Sequence, residues 1–318
     1  AVVADFQFDL WRLATSMVLD LQEREFCTDE LVDKAVKKLG NAYLQTVASA
    51  ELDCPAVRMD TAPKPIRKFL QKVHKKNTRQ QMLSKWTMDG FCRFDFQHEK
   101  LETVDDDLFL AIKSAVDSYH QTRNPVIETV PQVLDVARRT QAGTGSLGNR
   151  RYYVLMEGRS PDENVILDIK QQREPASVAV MPKQERYWYR ETFTHEGRRH
   201  ANAYRAIAEH PDSWLGWLSI HDQLYSVRER SPFKKDYPAQ KLDANEYLEM
   251  ASIWGEVLGR EHARGSFCMQ EPENAFTAFV RNNLMPERKA FVRLLRAVAP
   301  HYARCVQQDW QVFCDMQE

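Results

Sequence analysis

The sequence predicts an α+β protein in which helices flank a small antiparallel sheet. Apolar residues recur at helical spacing in residues 8–24, and again from Asn245 to the end of the chain. Between these parts, the β-rich runs YYVLMEG and NVILDIK are separated by the polar SPDEN, which is typical of an antiparallel hairpin. No internal repeat interrupts this order of helices, strands and helices.

The bulk composition excludes several classes of protein. The 318 residues are 43% apolar and 28% charged, which suits one large or two medium globular domains. A net charge of -1 argues against a general nucleic-acid or membrane-surface binder. No apolar run approaches the roughly 18–20 residues that span a bilayer. Six cysteines without CxxC pairing, and no secretory signal pattern, lead us to expect reduced thiols in a cytoplasmic protein.

The elements follow in order along the chain. After the helix of residues 8–24, Thr28 is expected to cap a second helix. Residues 64–85 carry eight Lys/Arg and no acid, so they form either a phosphate- or nucleic-acid-binding patch or a solvated basic helix face. Residues 91–97 alternate as a half-buried strand does. The acidic run at 105–107 is expected to cap the next helix rather than bind a metal.

These elements predict three parts of the chain. Residues 1–130 would form a helical lobe with a short hairpin near 91–104, and residues 131–240 a small antiparallel-sheet lobe. Residues 241–318 would be C-terminal helices that pack on the helical lobe. The first residues, AVVADF, lack an initiator Met and resemble an interior strand, so we expect further sequence upstream.

A glycine-rich turn precedes the first strand of the hairpin. Only 11 glycines occur in the chain, yet Gly143, Gly145 and Gly148 lie within six residues, with Ser146 among them. Such a turn lets a phosphate approach backbone N–H groups that a Cβ would obstruct. Walker and Rossmann glycine loops open a helix, whereas this one leads into a strand. The glycines alone are equally compatible with a simple hairpin bend.

Lys170 ends the second strand of the hairpin and strengthens the phosphate interpretation. A charge on a strand this apolar needs an anionic partner. The order strand, Gly turn, strand, Lys is that of protein kinases, where the lysine pairs with the α- and β-phosphates. Arg228 and Arg230, on the predicted strand LYSVRER, would either face the same cleft or lie on the surface.

Several motifs resemble those of an uncharacterised bacterial family, domain of unknown function 2252. VLDVARRTQAGTGSLGNRRYYVLMEG resembles its DVAR–GVGSVG–strand run, and LDIKQQREPAS its VKEA-S motif. DSWLGW, LYSVRE and LGREHARGS resemble its FLGW, YVRQ and AHARSGD segments. FDLWRLATS and HYARCVQQDW resemble its WDLKRLAAS and YADQTERD segments near the two ends. The order and spacing agree over nearly the whole chain.

This resemblance implies a protein-kinase-like or aminoglycoside-phosphotransferase-like fold in permuted order, binding ATP with Mg²⁺. The turn residues Gly143, Gly145, Ser146 and Gly148 would then cover the phosphates. Lys170 would contact the α- and β-phosphate oxygens, and Arg228 would belong to the same nucleotide site. Asp5 would hold Mg²⁺, since a hard cation prefers carboxylate oxygen.

The chain also departs from the family pattern. The family's catalytic-loop motif, HGD-x-H-x-x-N, lies upstream of its WDLKRLA segment and has no counterpart here, so no catalytic residue is assigned. The family's NDFDE motif is reduced to Asp5 and Phe6 followed directly by Gln7, so either Asp5 is the metal aspartate or a loop is missing. Gln171 replaces the Glu after the lysine, and Ala203-Tyr204-Arg205 replaces GQR.

Other family positions leave two interpretations open. Asp9 would either brace a catalytic loop or cap the first helix. His262 and Arg264 would approach a phosphate or cap the last carbonyls of their helix.

Three functions therefore stay open. The first is an ATP-dependent transfer of phosphate to an unknown acceptor, a small molecule or a protein. The second is a catalytically inactive nucleotide-binding regulatory module. The third is a helical interaction protein whose basic segment meets an acidic partner. A membrane or nucleic-acid partner is not expected.

Overall fold

The computed structural model describes residues 5–52, 54–126, 131–141, 143, 147–269, 272 and 274–316. Its helices are α1 (Gln7–Gln22), α2 (Asp29–Ser49), α3 (Lys64–Lys76), α4 (Arg79–Trp86), α5 (Asp106–Tyr119), α6 (Lys183–Thr192), α7 (Glu196–Ile207), α8 (Ala244–Met269), α9 (Ala275–Phe279) and α10 (Arg288–Asp315). Its strands are β1 (Thr87–Met88), β2 (Arg93–Phe94), β3 (Leu101–Glu102), β4 (Val133–Arg139), β5 (Arg151–Met156), β6 (Val165–Gln171), β7 (Gly216–Ile220) and β8 (Gln223–Glu229). The predicted α+β class is confirmed.

Six strands form one antiparallel sheet in the order β3-β4-β5-β6-β8-β7, and β1 pairs with β2 in a separate small sheet. The predicted hairpin of β5 and β6 is confirmed, with Tyr152 opposite Ile169. The strand expected over residues 91–97 is shorter, because Gly90 and Phe91 have positive φ and form a turn, and only Arg93–Phe94 is extended.

Side chains alternate between the two faces of the large sheet, as β geometry requires. One face is apolar and packs on α5, where Ile112, Val116 and Tyr119 are buried. The other face packs partly on α4, against Leu83 and Trp86. The rest of this second face carries polar and charged side chains, and it holds the candidate site.

Two compact units divide the chain. The first contains Met59–Arg205 and His210–Asp236, with the sheet, and the second contains the described residues of 5–58, 206–209 and 237–316. The division expected from the sequence, at 130 and 240, differs from this one. Residues 59–126 belong with the sheet because α4 and α5 pack on its two faces.

In the second unit, α8 crosses α2 at very close range. A Cβ on Gly255 would overlap the backbone oxygen of Leu39, and a Cβ on Gly259 would lie 3.1 Å from the backbone oxygen of Tyr43. These glycines, four residues apart, lie on one face of α8 and admit the α2 backbone directly.

Helix capping follows the sequence. The Thr28 hydroxyl accepts a hydrogen bond from the Leu31 N–H at 3.1 Å, and the Asp105 carboxylate accepts one from the Leu108 N–H at 2.8 Å. Both predicted caps are confirmed. Among the described helices, none is long and apolar enough to cross a membrane.

Candidate functional site

The candidate site begins at the turn that joins β4 to β5. Gly148 has φ of +71°, a left-handed conformation in which glycine avoids the steric cost that a side chain would meet. At Gly143 a Cβ would meet no atom of the described residues within 4 Å, so the backbone there faces open space. Gly145 and Ser146, which were predicted to contact phosphate, lie outside the described residues.

Lys170 lies on β6 as predicted, opposite Arg151 on β5 and Ser226 on β8. Its side chain is half-buried and makes no hydrogen bond or ion pair within the part of the chain that the structure describes. Burial lowers the pKa of Lys170, and the positive charge of Arg151 lowers it further. An ammonium in this position gains energy from an anionic ligand.

The carboxylate two residues before Lys170 already has a partner. Asp168 is buried, and its two oxygens accept hydrogen bonds from the Arg151 guanidinium at 2.6 and 2.5 Å. Leu167–Lys170 read LDIK, so Asp168 stands where the kinase pattern V-A-I-K has a small alanine. The Arg151–Asp168 pair is bidentate, which is the strong geometry for such pairs.

A cavity of about 790 Å³ opens on the same face of the sheet. Arg228, predicted to face a cleft, lines this cavity, and so do Arg230 and Gly143. Lys170 does not line the cavity, but it lies directly opposite Arg151, which does line it. The remaining lining residues are Arg139, Tyr153, Asp168, His200, Tyr204, Asp212, Leu215, Glu229, Ser231, Phe233, Lys234, Lys235 and Asp236.

Besides Asp168, sequence reasoning missed three residues on or against this face. Arg139 and Arg151 belong to β4 and β5, and Trp86 belongs to α4. Each of the two arginines belongs to an Arg-Arg dipeptide, at 138–139 before the glycine turn and at 150–151 after it. Both dipeptides look like ordinary strand ends. Only the register of β4, β5 and β6 reveals which arginine of each pair shares a face with Lys170.

Comparison with protein families matches residues 1–316 to domain of unknown function 2252, described as an uncharacterised protein conserved in bacteria. The chain belongs to this family. Comparisons with curated proteins and with solved structures return no match. No curated protein or solved structure therefore assigns a role to the residues of the site.

Among the motif residues shared with family 2252, Asp9 and His262 come together in the second unit. Oδ2 of Asp9 lies 3.5 Å from Nε2 of His262, and the hydroxyl of Tyr43 lies 2.8 Å from Nδ1 of the same ring. The hydrogen bond with His262 lowers the pKa of Asp9, although partial burial opposes it. The N-cap interpretation of Asp9 is wrong, because α1 begins at Gln7 and Asp9 lies inside its first turn.

Arg264 also belongs to a segment that resembles a family 2252 motif. It donates to the backbone oxygens of Ile207 at 2.6 Å and Cys54 at 3.1 Å. The expectation that His262 and Arg264 cap the end of their helix is wrong, because α8 continues to Met269. Arg264 instead ties α8 to neighbouring segments of its own unit.

Two departures from the 2252 pattern have structural roles. The Gln171 side chain accepts from the Arg150 N–H at 2.9 Å, and its amide donates to Gln223 at 2.5 Å. Arg205 donates to the backbone oxygens of Thr122 and Leu215, at 2.7 and 2.6 Å. Both side chains brace loops around the sheet.

Asp5, the predicted Mg²⁺ ligand, is exposed and belongs to the second unit. Its carboxylate accepts a hydrogen bond from the Gln7 N–H at 2.9 Å, at the start of α1. The described residues contain no group of three or more His, Cys, Asp or Glu placed to hold a metal ion. A nucleotide-bound Mg²⁺ needs only one or two carboxylates beside phosphate and water, so the role of Asp5 stays a prediction.

Proposed function

We propose that this protein binds ATP with Mg²⁺ and transfers a phosphoryl group to an unidentified acceptor. The observation that carries the proposal is Lys170, a half-buried ammonium with no partner among the described residues, on the strand after a glycine-rich turn. Phosphate oxygens would supply the missing anion. We place this activity in the cytoplasm, where cysteine thiols such as the six of this chain stay reduced.

The residues present suit a polyphosphate. Gly143 leaves room for close backbone approach, and Gly148 gives the turn its left-handed bend. Arg228 and Lys170 add positive charge on one face of the sheet. In such a site, positioning and electrostatic stabilisation supply most of the catalysis, and Mg²⁺ would neutralise charge on the phosphates.

The test is thermal unfolding of the whole protein with and without Mg-ATP. A ligand at 100 times its Kd stabilises the folded state by about 2.7 kcal/mol, which raises Tm by several degrees. Lys170→Met should abolish this rise. The exposed Lys183 provides a matched control, because Lys183→Met removes the same group in the same unit without touching the turn. No rise of Tm in the wild type would refute the proposal.

A second candidate is a regulatory module that binds nucleotide without turning it over. Gln171 favours it, because an amide replaces the family's carboxylate and both of its ends are already hydrogen-bonded. Phosphate release or ADP formation from Mg-ATP separates the two candidates. Binding without any turnover, across a broad set of acceptors, favours the regulatory module.

A further inference from the structure

The cavity on the Lys170 face contains more positive charge than its own carboxylates neutralise. Asp168 is paired with Arg151, and Glu229 lies 2.9 Å from Arg79. The oxygens of Asp212 accept backbone N–H groups, from Trp214 at 2.9 Å and Glu229 at 2.6 Å. Two of the four lining carboxylates are thus ion-paired with an arginine, and a third accepts two backbone hydrogen bonds.

Four lining cations make no ion pair with any described residue: Arg139, Arg230, Lys234 and Lys235. His200 does not add to the charge, because burial lowers its pKa to about 4 and keeps the ring neutral at pH 7. Lys234 and Lys235 are exposed, but Arg139 and Arg230 are half-buried, where an unpaired charge is costly without a bound anion.

Arg139 and Arg230 have the most specific arrangement of the four. The Arg230 guanidinium lies 4.7 Å from the centre of the Trp86 ring and 5.9 Å from that of Tyr153. The Arg139 guanidinium lies 5.4 Å and 5.8 Å from the same two rings. The Nε atoms of both arginines are buried without a hydrogen-bond partner. Nη1 of Arg139 donates to the Lys100 backbone oxygen at 3.5 Å, and the other Nη atoms of the two arginines make no hydrogen bond with a described residue. Contacts with the rings hold the guanidinium planes in place and leave these donors for an oxyanion.

We propose that the phosphate acceptor is an anionic small molecule whose phosphate or carboxylate group is bound by Arg139 and Arg230. The role of this molecule as acceptor rests on the proposed function, whereas the anion site does not. Two guanidiniums that share the same pair of rings repel each other, and an oxyanion between them relieves that repulsion while accepting charge-assisted hydrogen bonds. The cavity is of the size that holds a small molecule.

The position of the site suits an acceptor. Tyr153, Asp168 and Arg228 are neighbours in register on β5, β6 and β8, and all three line the cavity. Lys170 follows Asp168 by two residues and so projects from the same face. An anion held by Arg139 and Arg230 would therefore share one face of the sheet with the proposed phosphate site.

The first experiment measures anion binding by thermal unfolding, with inorganic phosphate and citrate as probes and sodium chloride at matched ionic strength as control. We expect at least one probe to raise Tm of the wild type beyond the chloride control. The double variant Arg139→Lys/Arg230→Lys keeps both charges but loses the planar fork, so the apparent affinity should fall at least tenfold. Arg139→Gln/Arg230→Gln should bind no better than this variant, and Lys183→Met, at an exposed lysine that does not line the cavity, should bind as the wild type does.

Two results would overturn the anion site: no rise beyond chloride in the wild type, or equal affinity in the folded double Lys variant. The second experiment follows labelled γ-phosphate from Mg-ATP to panels of phosphorylated, carboxylated and neutral metabolites. Label on anionic acceptors supports the assignment, and label on neutral acceptors alone overturns it. A wild type that binds the anion but not Mg-ATP would refute the proposed function and leave the anion site intact.

Discussion

Oδ2 of Asp9, in the first turn of α1, lies 3.5 Å from Nε2 of His262 in α8. The two residues are separated by most of the chain, yet both belong to segments that resemble family motifs. Because Nδ1 of the same ring contacts the Tyr43 hydroxyl, His262 links a half-exposed carboxylate to a buried phenol. One imidazole ring thus connects Asp9 in α1 to Tyr43 in α2.

The Asp9–His262 contact should appear as energetic coupling. We expect Asp9→Asn and His262→Gln to destabilise the protein less together than the sum of the two single effects, by about 0.5–1 kcal/mol. Chemical denaturation of the wild type, the single variants and the double variant measures this difference. Additive effects would show that the contact does not contribute to the stability of the protein. Asp33→Asn, at a carboxylate elsewhere in the unit that pairs with Arg296, should be additive with His262→Gln.

Replacing Lys170 with Met should stabilise the free protein while abolishing nucleotide binding. The half-buried ammonium lacks an anionic partner among the described residues, and desolvation lowers its pKa. A group with a lowered Lys pKa destabilises the fold below that pKa, so the gain should be present at pH 7 and shrink as the pH rises through it. We expect about 1 kcal/mol or less in urea denaturation. A loss of stability would show that the ammonium has a partner in solution.

The buried Arg151–Asp168 pair should be far more sensitive to single substitutions than to a double one. Asp168→Asn leaves the Arg151 guanidinium without its counter-charge and should cost about 3–5 kcal/mol. Arg151→Met/Asp168→Ala removes both charges and should recover most of that loss. Denaturant midpoints of the single and double variants provide the comparison. A double variant less stable than Asp168→Asn would contradict this account.

Alanine should lower stability at one glycine of the turn and leave it nearly unchanged at another. Gly148→Ala forces a side chain into φ of +71° and should cost about 1 kcal/mol of stability. Gly143→Ala adds a Cβ that meets no described atom, so stability should change by less than about 0.5 kcal/mol. If phosphate approaches the backbone at 143, Mg-ATP affinity should nevertheless fall at least tenfold in Gly143→Ala. Unchanged affinity would place the phosphates elsewhere.

His120 should make the protein sensitive to acid. Burial, followed by the charge of Arg123, lowers the pKa of His120 to about 4. Between this pKa and the ordinary value near 6.5, the unfolded chain binds more protons, so stability falls as the pH drops through that window. From pH 8 to pH 5 the loss should be about 2 kcal/mol. His120→Gln should flatten the pH profile of the unfolding free energy by that amount.

The sequence predicted the helices and strands well because each residue pattern continues over many positions. Residues 8–24 repeat at helical spacing, and the hairpin that ends at Lys170 is rich in β-branched residues, so local chemistry decides both. The division into units was not predictable in the same way. Residues 59–126 join the sheet because α4 and α5 cover its two faces, and that packing depends on contacts between segments distant in the chain.

The candidate site was predictable only where a single strand defines it. Lys170 stood out because one strand supplies both the charge and its apolar neighbours. Arg139 and Arg151 did not, because their place beside Lys170 depends on the register of three strands. Asp168 was not predicted because an acid two residues before a lysine has no evident role until its ion pair with Arg151, on the neighbouring strand, is known.

The close crossing of α8 on α2 has a consequence for the Tyr43 hydroxyl. Gly255 and Gly259 allow the two backbones to approach, and Tyr43 lies in α2 directly beneath them. The 2.8 Å contact between Tyr43 and His262 therefore depends on the absence of a side chain three and seven residues before His262 in α8. A Cβ at Gly255 would push the two helices apart and lengthen the contact between Tyr43 and His262. The place of the His262 ring beside Asp9 therefore depends on two residues that have no side chain.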